Sequence, residues 1–277
     1  MTSAPPSRDW SEIDWTTADA ATAARWIAVM PLGATEQHGP HLPPETDVMI
    51  GEAYLARVRE LLPDTSPVTF LPIQRIGIST EHIDFAGTLT LSTHDALNQW
   101  MALGESVARA GVKKLVMVTS HGGNSAAMML VAQDLRAYHG LLAVTTSWSR
   151  FGVPHGLFPE EELRHGIHGG AVETSIMLAR YKEHVRLGAI ADFRSSSVAM
   201  ERQYRWLSTQ RPAPFAWQAQ DLNESGAVGN ATLATAEKGV QLLDYGARRF
   251  IELLDDIDKF DVSTFSRNAP ERPARRP

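Results

Sequence analysis

The chain has 277 residues, no cysteine, ten histidines and a net charge of −6. That length buries a sizeable core and suits one α/β domain, while the absence of cysteine excludes disulfides, thiolate zinc sites, iron–sulfur clusters and a cysteine nucleophile. The acidic balance, 26 Lys and Arg against 32 Asp and Glu, argues against a nucleic-acid partner. The N-terminal segment has no basic patch followed by an apolar run. No run approaches the roughly 18–20 apolar residues of a spanning helix. A cytoplasmic protein with no membrane partner is therefore expected.

In chain order, residues 1–24 read as a polar, proline-bearing lead-in. Trp26 to Met30 is a short apolar run ended by Pro31 and Gly33, the pattern of a buried strand. Residues 46–62 carry apolar positions at helical spacing and stop at Pro63. A second strand is expected over residues 68–73, followed by a polar stretch over 74–90. Ser92 to Asp95 has the form of a capping box, opening a helix to about Ala110. A third strand covers 115–119, a helix runs from Asn124 or Ser125 to about Tyr138 before Gly140, and a fourth strand covers 141–145. Residues 148–166 are irregular and aromatic, 170–181 helical, 188–232 without regular pattern, and 235–254 an amphipathic helix. A single domain over 25–258 and a flexible tail over 259–277 are expected. Short apolar strands alternating with helices predict a parallel sheet covered on both faces, with chemistry in the loops beyond the strands' carboxyl ends.

Four segments could carry that chemistry. The loop after the first strand, Gly33 to Asp47, packs Glu36, His38 and Asp47 among glycines and prolines. An imidazole with two carboxylates suits Zn, Mn or Fe, and Glu36-x-His38 in an extended segment sends both side chains the same way. The plainer alternative makes Glu36 and His38 surface groups and Asp47 a helix cap. Ser120 to Asn124 follows the third strand, and Gly122-Gly123 there lets a ligand approach the backbone; a turn with a solvated His121 is the alternative. His168 lies just before a helix whose first turns contain Glu173, and either could serve only the helix terminus. Ser79, Glu81 and His82, beyond the second strand, could line a pocket or simply be solvated. His94, His139, His155 and His184 read as structural or solvated, and Trp100 as core. There is no His-Glu-x-x-His, no Walker loop, no dinucleotide-binding glycine motif and no Gly-x-Ser-x-Gly.

Taken together, these segments resemble the creatininase (creatinine amidohydrolase) family. The resemblance rests on Pro31 to Pro43 with Asp47, on Ser120 to Asn124, on His168 to Ser175, and on Ser225 to Asn230 with Ala236 to Gly239. It implies a three-layer α/β/α sandwich with a mostly parallel central sheet and a hydrolase of amide-type C–N bonds. It also implies two divalent ions per chain, Zn or Mn with Fe possible, a small-molecule amide substrate and a homo-oligomer, commonly a hexamer. By residue it implies that Glu36, Asp47 and His121 hold one metal. His38, Asp47 and a further carboxylate would hold the other, so that Asp47 bridges. Creatininase proper has a glutamate where this chain has Gly123, and Glu173 is the carboxylate expected to stand in. His168 is expected to protonate the leaving nitrogen. Ser79, Glu81, His82, Gly122, Gly123 and Asn124 are expected on the substrate side. Arg164-His165-Gly166-Ile167 also departs from creatininase proper, and the Gly-Gly motif looks more like the family's deformylase and peptidase branches. A short-peptide substrate, or a non-catalytic metal- or ligand-binding protein on the same fold, are the competing readings.

Overall fold

The computed structural model describes residues 4–265. Helix α1 (Ala20–Ala23) leads into strand β1 (Ile27–Leu32), helix α2 (Thr46–Leu61) and strand β2 (Val68–Phe70). Helix α3 (Thr93–Arg109), strand β3 (Lys114–Thr119), helix α4 (Ser125–His139) and strand β4 (Leu142–Ser147) follow. Beyond them come helices α5 (Glu160–His165) and α6 (Ala171–Arg180), then a set of short pieces, and finally helix α9 (Ala236–Lys259). The short pieces are β5 (Asp192–Phe193), α7 (Ser197–Gln203), β6 (Leu207–Ser208), β7 (Ala213–Pro214), α8 (Ala219–Leu222) and β8 (Gly229–Asn230).

The central sheet has the order β2-β1-β3-β4, and every pairing in it is parallel. Strand side chains alternate between faces, and the core divides accordingly. Ile27, Val29, Val116 and Val118 face α2, α6 and α9, whose contributions include Tyr54, Ile176, Leu243 and Phe250. Ala28, Met30, Leu32, Leu115 and Met117 face α3 and α4, with Trp100, Met128 and Leu135 among their partners. The result is the expected three-layer α/β/α sandwich. Helix ends follow local chemistry. Ser92 Oγ accepts from the Asp95 N–H at 3.1 Å to open α3, and Gly140, at φ 66°, closes α4.

Three expectations are corrected. The lead-in is not peripheral over its described part. Ile13 is buried with Trp10 and Trp15 packed beside it, and the Phe70 N–H donates to Arg8 O at 2.8 Å, so the segment extends the sheet edge and its core. Helix α9 runs five residues past the expected end because Leu254 and Ile257 still lie on its buried face. The expected flexible tail over 259–277 is ordered as far as it is described. Val262–Thr264 form a 3-10 turn and Phe265 lies 3.9 Å under the Arg136 guanidinium, while residues 266–277 lie outside the described residues. Within the irregular stretch of 148–166, Trp148 stacks on Tyr54 at 4.4 Å and α5 forms. No helix among the described residues is long and apolar enough to cross a membrane.

Candidate metal centre

The four sequence-predicted segments converge beyond the carboxyl ends of β1, β2 and β3. Glu36 and His38 come from the loop after β1, Asp47 from the first turn of α2, and His121 from the residue that caps the 3-10 turn after β3. His82 closes a 3-10 turn after β2. His168 precedes α6, held by an antiparallel bridge to Val228, and Glu173 lies in the first turn of α6. The loop after β1 can fold back because Gly39 sits at φ 70°, where an added Cβ would collide with Ala227.

The side chains meet closely. His121 Nδ1 is 3.1 Å from Glu36 Oε1 and 3.5 Å from Asp47 Oδ2. His38 Nε2 is 3.8 Å from Asp47 Oδ2 and 3.7 Å from Glu173 Oε2. His168 Nδ1 is 3.6 Å and His82 Nε2 is 3.3 Å from Glu36 Oε1. Donor atoms of Glu36, Asp47 and His121 lie within 4.8 Å of one another, as do those of His38, Asp47 and Glu173, and those of Glu36, His38 and His168. Asp47 thus belongs to two of the three sets. Glu36, His38, Asp47 and His121 are almost wholly buried. Glu36 Oε1 and Oε2, His38 Nε2 and Asp47 Oδ2 are buried without a hydrogen-bond partner.

Buried polar atoms are ordinarily paired, so four orphans gathered in one cluster are suited to a ligand. The alternative of surface groups and a helix cap does not hold here, since Glu36 and His38 are buried and Asp47 makes no cap. The outer nitrogens of the three histidines are tied to backbone carbonyls: His38 Nδ1 to Glu36 O at 3.1 Å, His121 Nε2 to Ile78 O at 2.6 Å, and His168 Nε2 to Gln37 O at 2.6 Å. That leaves the opposite ring nitrogen facing the carboxylates, the way metal-ligating imidazoles are usually held in orientation and tautomer by a carbonyl on their far side.

Charge is strained without a cation. Burial would raise the Glu36 carboxyl, but the imidazoles of His121, His82 and His168 outweigh it and hold it below the carboxylate range. Burial, then the Glu36 charge, pushes Asp47 well above that range. Burial also raises Glu173 and Glu81. His121 is buried too, yet Glu36 and Asp47 hold it well above an ordinary imidazole. Burial and His168 push His82 down to about 3. The donors are imidazoles and carboxylates only, as a chain without cysteine requires, and that set fits Zn or Mn.

The substrate-side candidates separate. Gly122 has open space where a side chain would stand. Glu81 Oε1 lies 3.6 Å from His121 Nε2. Ser79 is fully buried, its hydroxyl without a partner. The Asn124 side chain is engaged within the protein. Its Oδ1 accepts from the Ile78 N–H at 3.0 Å, and its Nδ2 donates to Gly33 O at 3.0 Å and Thr119 Oγ1 at 3.2 Å, which consumes the side chain in tying three loops. At Gly123 an added Cβ would strike His121 Nε2 and Ile78 O and stand 2.7 Å from Glu81 Oε1. Gly123→Ala is therefore expected to displace His121 and weaken metal binding about 10- to 100-fold, the range for disturbed ligand support, as read by competition with a chromogenic chelator.

Three contributors escaped the sequence reading. Gln37 touches His82 and the Gly226 carbonyl. His41 Nε2 donates to Gly169 O at 2.9 Å, and burial pushes this ring down to about 4. Glu162 receives the Ala171 and Asn230 N–H groups, each at 2.7 Å, and so braces the turn that carries His168 and Glu173. His41 and Gln37 stand in the first motif itself. Nothing local marks Glu162, whose partners are distant in sequence.

A parallel α/β sandwich with a buried imidazole–carboxylate cluster beyond its strand ends is a metal-binding α/β protein. The family model for creatininase, described as creatinine amidohydrolase, matches residues 11–254. The chain belongs to the creatininase family. A mycofactocin precursor peptide peptidase of Mycobacterium ulcerans is 32% identical over 251 residues, covering 88% of this chain and 87% of that one. A creatinine amidohydrolase of Pseudomonas putida is 28% identical over 251 residues, covering 84% and 90%. The crystal structure of a creatinine amidohydrolase superposes with a TM-score of 0.74 at 25% identity, covering 92% of this chain and all of that one.

Proposed function

We propose that the chain is a metal-dependent amidohydrolase whose cleft holds two divalent cations, Zn or Mn. Glu36, Asp47 and His121 would hold one; His38, Asp47 and Glu173 would hold the other. The observation that carries this reading is the set of orphaned donor atoms, Glu36 Oε1 and Oε2, His38 Nε2 and Asp47 Oδ2, gathered in two buried donor sets that share Asp47. Ions so held supply Lewis acidity and bring the pKa of water from 15.7 toward about 7. His168 is the proton carrier. With Nε2 committed to Gln37 O, its Nδ1 takes a proton from the attacking water and returns it to the leaving nitrogen. An O–C bond forms, the C–N bond breaks, and the amine departs with that proton. Glu36, 3.6 Å away, stabilises the imidazolium in between. Glu81 and the open backbone at Gly122 line the substrate side.

The substrate is a small amide: a cyclic amide, a formamide or a comparable C–N bond. A second reading, cleavage of a short peptide, is supported by the identity to peptide peptidases, 32% against 28% for the creatinine enzyme. Gly123 in place of a glutamate speaks against creatinine itself and is compatible with either a formamide or a peptide. A screen of formamides, cyclic ureas, lactams and short peptides tests both readings. Cleavage that a chelator abolishes and Zn or Mn restores is expected; cleavage that survives chelation overturns the proposal.

Metal loading also has a pH signature. His121 is held above its ordinary value, and Asp47 and Glu173 above theirs. The metal-free site therefore keeps protons that ions must displace, so affinity falls as the pH is lowered. Calorimetric titration in buffers of different ionisation enthalpy is expected to show proton release on loading.

A further inference from the structure

Four imidazoles line the cluster, and their ring protons divide them. For His38, His121 and His168 the outer nitrogen faces a backbone carbonyl, at 3.1, 2.6 and 2.6 Å. A carbonyl only accepts, so that nitrogen carries the proton and the inner nitrogen can bind a cation or take a proton. His82 is reversed. Its outer nitrogen, Nδ1, lies 2.7 Å from Gln37 Nε2. Two backbone groups settle the orientation of the Gln37 amide. The Gly39 N–H can only donate and meets Oε1 at 2.8 Å; the Gly226 carbonyl can only accept and meets Nε2 at 2.9 Å. His168 Nε2 also lies 3.3 Å from Gln37 Nε2, but it carries the proton given to Gln37 O at 2.6 Å and cannot accept. The second Nε2 hydrogen then goes to His82 Nδ1, at 2.7 Å, which must accept it.

The His82 proton therefore sits on Nε2, the nitrogen that faces the cluster. It lies 3.3 Å from Glu36 Oε1, which has no hydrogen-bond partner, so the N–H is not spent there. The ring is stacked on His168 at 4.2 Å, which holds its plane. The Gln37 amide packs directly against the Gly226 backbone, where a Cβ would displace it.

We propose that His82 is the hydrogen-bond donor of this site, presenting Nε2–H to the substrate's carbonyl oxygen as charge develops on it, and that Gln37 is the positioning residue that holds His82 in that tautomer. The proposal rests on the amidohydrolase reading above. A donor already aimed at a developing oxyanion contributes about 10²- to 10³-fold in kcat.

The test uses Zn-loaded protein labelled with ¹⁵N-histidine, in which NMR reads which ring nitrogen carries the proton. The parent is expected to show His82 protonated on Nε2. In Gln37→Glu the new carboxylate accepts from His82, and the proton is expected to appear on Nδ1. At parent Zn content, Gln37→Glu and His82→Phe are expected to lower kcat about 10²- to 10³-fold. His82→Gln, whose amide offers an N–H, should keep more of the rate than His82→Phe. A parent His82 protonated on Nδ1 overturns the proposal, as does a His82→Phe enzyme with parent kcat; both leave the amidohydrolase reading standing. A parent that cleaves no amide overturns that reading instead. The ring tautomer is read without turnover, so the two failures are told apart.

Discussion

Asp47→Asn is expected to lose both ions and nearly all turnover while raising the melting temperature of the metal-free protein. Asp47 is the one carboxylate whose oxygen belongs to both the Glu36–His121 set and the His38–Glu173 set. Asparagine fills the same space but cannot supply an anionic bridge. The stability effect has the opposite sign because the site is frustrated when empty of cations. The folded-state pKa of Asp47 is raised, first by burial and then by Glu36. The folded state therefore binds a proton more tightly than the unfolded chain does. Above the unfolded carboxylate pKa of about 3.9, holding that proton or exposing the charge to Glu36 costs stability, and the cost grows with pH. Asparagine removes it, for a gain on the order of 1–3 kcal/mol and about 2–4 °C per kcal/mol. The gain is expected to vanish below about pH 3.9, where the carboxylate is protonated in both states. Elemental analysis and thermal unfolding in chelator measure the two halves. Retention of two ions by Asp47→Asn contradicts the bridging role.

His168→Ala is expected to keep both ions and lose about 10²- to 10⁴-fold in kcat, the range for removing a positioned acid–base group. Glu36, Asp47, His121, His38 and Glu173 remain in place without it. The His168 ring lies between His38, at 4.1 Å, and His82, at 4.2 Å. The cavity left by alanine therefore opens beside both rings, and His168→Gln serves as the filled control. Turnover at the parent rate contradicts the proton-carrier role. Loss of an ion instead assigns His168 to the Glu36–His38 set as a ligand.

Much of this is legible in the sequence. Strands β1, β2 and β3 announce themselves as apolar runs because they are buried along their whole length, while β4, at the sheet edge, is only half-buried over its first four residues. Glu36, His38 and Asp47 stand out because they lie in one short loop directly after β1. Glu173 is suggested only by the resemblance to creatininase, which has a glutamate where this chain has Gly123. What was not legible depends on partners far apart in the chain. Gln37 points away from Glu36 and His38 by strand alternation, and becomes informative only once the turn at Gly39 brings Gly226 and His82 onto its amide. Glu162 reads as one of three acidic residues opening a short helix, yet it alone is buried among them, on backbone groups of Ala171 and Asn230. The stretch over 188–232 has no periodicity to read because its strands are two residues long and are held by such distant contacts. The hydrogen bonds of Asn124 are illegible for the same reason: its three partners lie on β3 and two other loops.

The central claim is that one cleft holds two cations sharing Asp47. Electron paramagnetic resonance of the Mn-loaded protein, at a measured metal content, tests it most directly. Two Mn ions per chain with the spectrum of a spin-coupled pair are expected, and Asp47→Asn should abolish that signal. A single ion per chain, or two that behave as isolated centres, would contradict the account.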